Sequence, residues 1–190
     1  MKNTLFIIMI LCAFSTPSMS QGIKARTWEP KETPIKRTYR LEEETNLFIF
    51  LRDNRTNFSE YGPELKKTIV NSIKQSFPET PVKWIEDLRD SQTSSLNKAI
   101  VVIDISDYFS VDRTIKWIGQ VTYHLTIIDM RSARDKKFDE IIQHNATKAG
   151  RNGLKASEDA LAKAFNGANS ALISYISRAL NGKKEAFLIN

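Results

Sequence analysis

The chain has 190 residues, a formal net charge of +6 and a single cysteine. Past residue 20 no segment is apolar for long enough to cross a bilayer, and no cysteine remains for a disulfide. The length suits one domain with its own core. The basic excess is spread along the chain; it reads as a solubilising charge, or as contact with acidic lipid head groups or glycans, ahead of nucleic acid.

Residues 1–20 read as a secretory signal peptide. Lys2 gives a positive start, and Leu5-Phe6-Ile7-Ile8-Met9-Ile10-Leu11 forms an apolar run too short to span a membrane. Ser18-Met19-Ser20 puts small residues where a signal peptidase reads, so cleavage is expected after Ser20 and discards Cys12. A lipoprotein signal needs a small residue before its acylated cysteine, and Leu11 stands there instead. Plain secretion to the periplasm or the outer-membrane surface is therefore expected. Without Lys2, 27 basic residues face 22 acidic ones, a net charge of +5.

Residues 21–45 carry Pro30, Pro34 and many charges around isolated Trp28, Ile35, Tyr39 and Leu41. They predict an extended charged leader, partly ordered, with Trp28 docking on the domain or on a partner. Its cations, Lys24, Arg26, Lys31, Lys36, Arg37 and Arg40, predict a weak, salt-sensitive contact with an anionic membrane surface.

A single domain is expected over 46–182, with a short tail over 183–190. Leu47-Phe48-Ile49-Phe50-Leu51 is wholly apolar, as in a strand covered on both faces or nearly so. Gly62-Pro63 opens a helix in which Leu65, Ile69, Ile73 and Phe77 recur every four residues, and Pro78 stops it. Val82-Lys83-Trp84-Ile85 is a short strand, and residues 87–97 a loop. Residues 99–105 are the strongest β-former in the chain. From Ile115 to Met130 a long strand alternates, with Trp117, Val121, Tyr123, Leu125 and Ile127 on one face. Gln120, Thr122, His124 and Thr126 take the other, wet face, which marks an antiparallel sheet. Residues 131–137 form a charged hairpin tip, and a return strand runs from Phe138 to about Lys148. Ser157 is expected to cap a closing helix lined by Leu161, Phe165, Ala168, Leu172, Ile176 and Leu180.

The predicted fold class is α+β. It has a mainly antiparallel sheet of four or five strands in the order β-α-β-β-β-β-α, with both single-striped helices on one sheet face. The other face stays open.

Beyond residue 20 the chain has no cysteine nucleophile, Gly-Xaa-Ser-Xaa-Gly elbow, glycine-rich phosphate loop or His-Glu-Xaa-Xaa-His spacing. Its two histidines, His124 and His144, fall on opposite faces of one hairpin when the apolar faces are matched, which splits them as a metal pair. Asp104, Asp107 and Asp112 match no calcium loop and read as acids at a strand end and in the loop after it. Three Asn-Xaa-Ser/Thr patterns, at Asn54, Asn57 and Asn145, are short enough to arise by chance. No enzyme activity, cofactor or metal is expected. Asp53 and Arg55 read as a structural corner, with Asp53 capping turn amides and Arg55 pairing with it.

The stretch Phe48-Ile49-Phe50-Leu51-Arg52-Asp53-Asn54-Arg55-Thr56, the helix over 64–77, the strand over 99–105, the long hairpin and the alanine-rich closing helix together resemble a family. They are similar to YajG-type bacterial envelope lipoproteins and, more distantly in architecture, to LptE and the TolB amino-terminal-like domains. The resemblance covers roughly residues 46–181. It implies a small α+β domain of the periplasm or outer membrane that acts by binding. This chain departs from the pattern in lacking a lipidation cysteine after the signal. The expectation is an accessory or assembly subunit that binds another envelope protein through Gln120, Thr122, His124 and Thr126 or through a strand edge. The alternative is a carrier of lipid or of an anionic glycan such as lipopolysaccharide.

Overall fold

The structure, a computed structural model, describes residues 25–31, 37–55, 62–91, 97–132, 134–150 and 153–182. The expected signal peptide and cleavage after Ser20, Cys12, the pattern at Asn57 and the expected tail over 183–190 lie outside the described residues. In chain order the elements are β1 (Ala25–Arg26), β2 (Asn46–Asp53), α1 (Gly62–Ser76), β3 (Val82–Ile85), a 3-10 turn (Leu88–Ser91), β4 (Lys98–Arg113), β5 (Lys116–Asp129), β6 (Lys136–Ala149) and α2 (Gly153–Asn181).

The fold is α+β. One sheet runs in the order β3-β2-β4-β5-β6, and β1 pairs with β4 beyond the point where β2 ends. β4, β5 and β6 are antiparallel over nearly their whole lengths, but β2 is parallel to both β3 and β4. The alternation in β5 could not reveal this. The parallel pair arises because α1 carries the chain back to the starting end of β2, so β3 must run the same way.

Both helices share one core with one sheet face. Leu65, Ile69, Ile73 and Phe77, each fully buried at the predicted four-residue spacing, meet Leu47, Ile49, Val101 and Ile103; Leu161, Phe165, Leu172 and Ile176 of α2 join Val121, Tyr123 and Leu125. Burying a side chain of this size contributes roughly 1.5–3 kcal/mol, so these stripes dominate the stability. Gly119 lets α2 approach β5: a Cβ built there would sit 2.3 Å from the Ala160 carbonyl oxygen.

β4 outlasts its predicted end at Ile105. A bulge between Ile105 and Asp107 inserts Ser106 and shifts the side-chain phase. Ile103 and Ile105 point to the helices before it, Tyr108 and Ser110 after it. That phase shift hides the second half of the strand from an alternation search, and it places Asp107 and Asp112 in the strand and not in a loop. The β4–β5 turn is Thr114-Ile115, with Thr114 at φ 62° and Ile115 80% exposed, so Ile115 belongs to the turn and not to the strand.

The described stretches of the leader, 25–31 and 37–45, pack on the domain. Tyr39, Leu41 and Thr45 are buried, the Tyr39 amide donates to the Ser76 carbonyl at 2.7 Å, and the Asn181 side chain bridges Glu42 N–H and the Arg40 carbonyl. Trp28 Nε1 donates to Ser157 Oγ at 2.8 Å, and Ser157 meets Ser110 Oγ at 2.6 Å. Ser157 is therefore no N-cap. Helix α2 begins at Gly153, and Ser157 lies a turn inside it, fully buried as the anchor of the leader.

Candidate partner-binding face of the sheet

The strand register sorts the face away from the helices into cross-strand rows. Phe48, Ile100, Ile128 and Lys137 form one row; Phe50, Val102, Thr126 and Asp139 form the next. Arg52, Asp104, His124 and Ile141 follow, and past the bulge come Asp107 with Thr122 and Gln143, then Phe109 with Gln120 and Asn145. At one end Phe48, Ile85, Ile100 and Val102 cluster with partly buried Phe50, Ile128 and Met130, so the open face has an apolar corner that strand patterning alone did not isolate. Toward β6 it turns polar, with Ile141 60% exposed beside His124.

The four predicted contact residues come together on this face, in unequal states. His124 is exposed between Asp104 and Ile141. Gln120 is half-buried and donates to Asp107 Oδ2 at 3.0 Å; Thr126 donates to Asp139 Oδ1 at 2.6 Å. Thr122 departs from the wet-face expectation: it is 6% exposed, and its Oγ1 has no hydrogen-bond partner. The longer side chains of its register neighbours, Asp107 and Gln143, flank it on both sides. His124 thus remains the accessible member of the set, and its apolar neighbour Ile141 lay outside the predicted set.

The carboxylates on this face are engaged. Arg52 forms a two-point ion pair with Asp104, through Nε to Oδ1 and Nη2 to Oδ2. Asp107 holds Gln120. His144 lies on the helix side, its ring against Gly167, so the hairpin separates the histidines as the face matching predicts. Among the described residues no group of three or more His, Cys, Asp or Glu is placed to hold a metal ion.

Asp53 and Arg55 form a closed corner. Arg55 donates its backbone amide and Nε to Asp53 Oδ1, at 3.2 and 2.7 Å, and Nη2 to Oδ2 at 2.6 Å; its guanidinium lies 5.7 Å from the Tyr108 ring centroid. Burial pushes the Asp53 carboxyl up, but the Arg55 side chain, backbone amide and charge together hold it below its usual range. With 2% of its side chain exposed, Arg55 does not face a solvent-borne anion.

The same turn occurs twice more. Asp87-Leu88-Arg89 follows β3, and Asp129-Met130-Arg131 follows β5, each with the arginine amide and Nε on Oδ1 and Nη2 on Oδ2. The Asp-Xaa-Arg spacing occurs three times in the sequence, and all three form this turn, not Asp53 and Arg55 alone. Asp129 and Arg131 are the most enclosed pair, and Arg131 also donates to the Leu180 carbonyl at the end of α2. Beside them a cavity of about 950 Å³ is lined by acids (Glu42, Glu43, Glu140) and bases (Lys136, Arg178) around Tyr175.

No family model matches the chain, and no curated protein matches it in sequence. Among solved structures it is similar to the hypothetical protein CT253 of Chlamydia trachomatis, at 9% identity and a TM-score of 0.46, covering 74% of this chain and 99% of that one. It is also similar to lipoprotein GNA1162 of Neisseria meningitidis, at 10% identity and a TM-score of 0.36, covering 70% and 99%. At these values the likeness is one of layout alone.

Proposed function

We propose that the chain is an exported, non-catalytic cell-envelope protein, an accessory or assembly subunit that holds another envelope protein against the open face of its sheet. The observation that carries this reading is the one-sided packing. Both helices complete the core on one face, while the other presents Phe50, Ile128, Met130 and the exposed Ile141 around His124. Side chains of this kind away from the main core support a contact surface. Export rests on the signal-like residues 1–20. Asp104 and Asp107, the acids a hydrolytic reading would need, are taken by Arg52 and Gln120, which supports binding over chemistry.

A photo-crosslinker placed at His124 or Ile141 in the cell envelope is expected to give one discrete adduct. The same probe at Glu64, exposed on α1, should give none. Equal labelling from all three positions would remove the open face as the contact.

The carrier reading draws on the charged cavity beside Arg131, where Lys136 and Arg178 suit an anionic glycan better than an acyl chain. Glu42, Glu43 and Glu140 oppose it. Recovery of bound glycan or lipid from the purified chain, without a protein adduct, would favour it. Three of the six leader cations also touch the domain: Arg26 lies over the Trp117 ring, Lys31 pairs with Glu158 and Arg40 with Glu79.

A further inference from the structure

β6 is an edge strand of 14 residues, paired with β5 on one side and with no strand on the other among the described residues. Two contacts fix which of its amides face outward. The Ile141 amide donates to the Glu140 side chain at 3.1 Å, and the Tyr175 hydroxyl donates to the Asp139 carbonyl at 3.4 Å. Both groups therefore point away from β5. By the alternation of an antiparallel ladder, Gln143, Asn145 and Thr147 also point their N–H and C=O groups to the free edge. All three are exposed.

Natural edge strands of this length are blunted with charge, because unpaired amides recruit another strand. Here the charges sit at the ends, Lys136, Lys137, Asp139 and Glu140 on one side and Lys148 on the other. The seven residues 141–147 between them, Ile-Ile-Gln-His-Asn-Ala-Thr, carry none. The arrangement complements itself. An antiparallel copy related by a twofold through His144 keeps both helix layers on one side and places Glu140 opposite Lys148 twice. In that register Gln143 faces Asn145, Ile141 faces Thr147, and the outward-pointing residues are the ones that exchange hydrogen bonds. Glu140, which covers the Ile141 amide in the single chain, would turn to the second copy's Lys148 and free that amide for the ladder. Lys148 would exchange its 3.8 Å contact with Asp159 for it. A register centred on Phe138 also matches charges, Lys136 with Glu140 and Lys137 with Asp139. It overlaps only five β6 residues, 136–140, against the eleven, 139–149, of the register at His144.

We propose that the β6 edge is a self-association surface, pairing antiparallel with β6 of a second copy of this chain about a twofold at His144. This takes up the strand-edge contact expected from the sequence, naming the partner as the chain itself, and it leaves the open face of the proposed function free.

The exported chain should sediment as a concentration-dependent dimer. Asn145→Pro removes an outward N–H without touching the β5 ladder and should leave a monomer with an unchanged circular dichroism spectrum. Glu140→Lys and Lys148→Glu should each weaken the dimer at least tenfold, and the double exchange should restore it, which a purely structural role would not do. His144→Cys should crosslink to itself on oxidation, because a directly opposed non-hydrogen-bonded pair lies about 4.5 Å apart at Cα, within disulfide reach. A folded monomer at all concentrations would overturn the proposal. So would a dimer that survives Asn145→Pro, or an edge that pairs only with a different protein. Adducts from His124 in the Asn145→Pro monomer would show that the open-face reading stands even where self-pairing fails.

Discussion

Three turns of one chemistry differ in worth because they differ in burial. Asp87 and Arg89 are solvated, with side chains 44% and 83% exposed, so their ion pair stabilises little. Asp129 and Arg131 are 7% and 6% exposed, and removing one member strands the other away from water. Asp129→Ala should therefore lower the unfolding free energy by about 3 kcal/mol, while Asp87→Ala should leave the denaturant midpoint unchanged. The two enclosed aspartates also contribute to stability against acid. At each of them burial acts upward, and the arginine hydrogen bonds and charge carry the folded-state pKa below the ordinary 3.8. Their stabilisation is present above the unfolded value and is lost as pH falls through the lower folded one. Below pH 4 the denaturant midpoint of the native chain should fall more steeply than that of an Asp53→Asn, Asp129→Asn variant. Parallel slopes would show that neither carboxylate is held as described.

At the scale of elements, legibility followed how local the signal was. The stripe of α1 announced its helix, its buried face and its end at Pro78, because a 3.6-residue period needs no knowledge of partners. The face assignment of His124 against His144 was equally readable, since alternation and one matched pair fix a hairpin register. What hid was whatever depended on a distant element. The bulge at Ser106 concealed half of β4, the parallel run of β2 beside β4 is set by a crossover, and Ser157 owes its role to Trp28, 129 residues away. Thr122 belongs with these: its hydroxyl looks wet in one strand and is buried once two neighbouring strands flank it. Gly119 was silent in the sequence for the same reason. Gly119→Ala drives a Cβ into backbone, not into a side chain that can swing away, so α2 must lift from β5. The expected cost is about 3 kcal/mol, at the upper end for overpacking, read as a shift of the thermal midpoint. A neutral substitution would mean that α2 does not sit as closely as described.

At the scale of the molecule, the domain is a sheet with one finished face. The helices, the leader and the turn after β5 all add to the same side: Tyr39 and Leu41 join the helix core, and Arg131 ties the end of α2 to the strand it follows. The open face keeps an apolar corner, an exposed histidine and an exposed isoleucine, the features on which the proposed contact rests. The proposed contact was less legible than the fold, because a contact face leaves no spacing rule in a sequence, whereas catalytic motifs do. The most direct test is a paired substitution on that face, His124→Glu with Ile141→Arg, followed by in-envelope photo-crosslinking from Thr126 on β5 and by thermal unfolding. Neither side chain contributes to the core, so the thermal midpoint should stay within about a degree of the native value, since surface changes cost little. The account predicts loss of the partner adduct at that unchanged stability; an adduct of undiminished yield would contradict it.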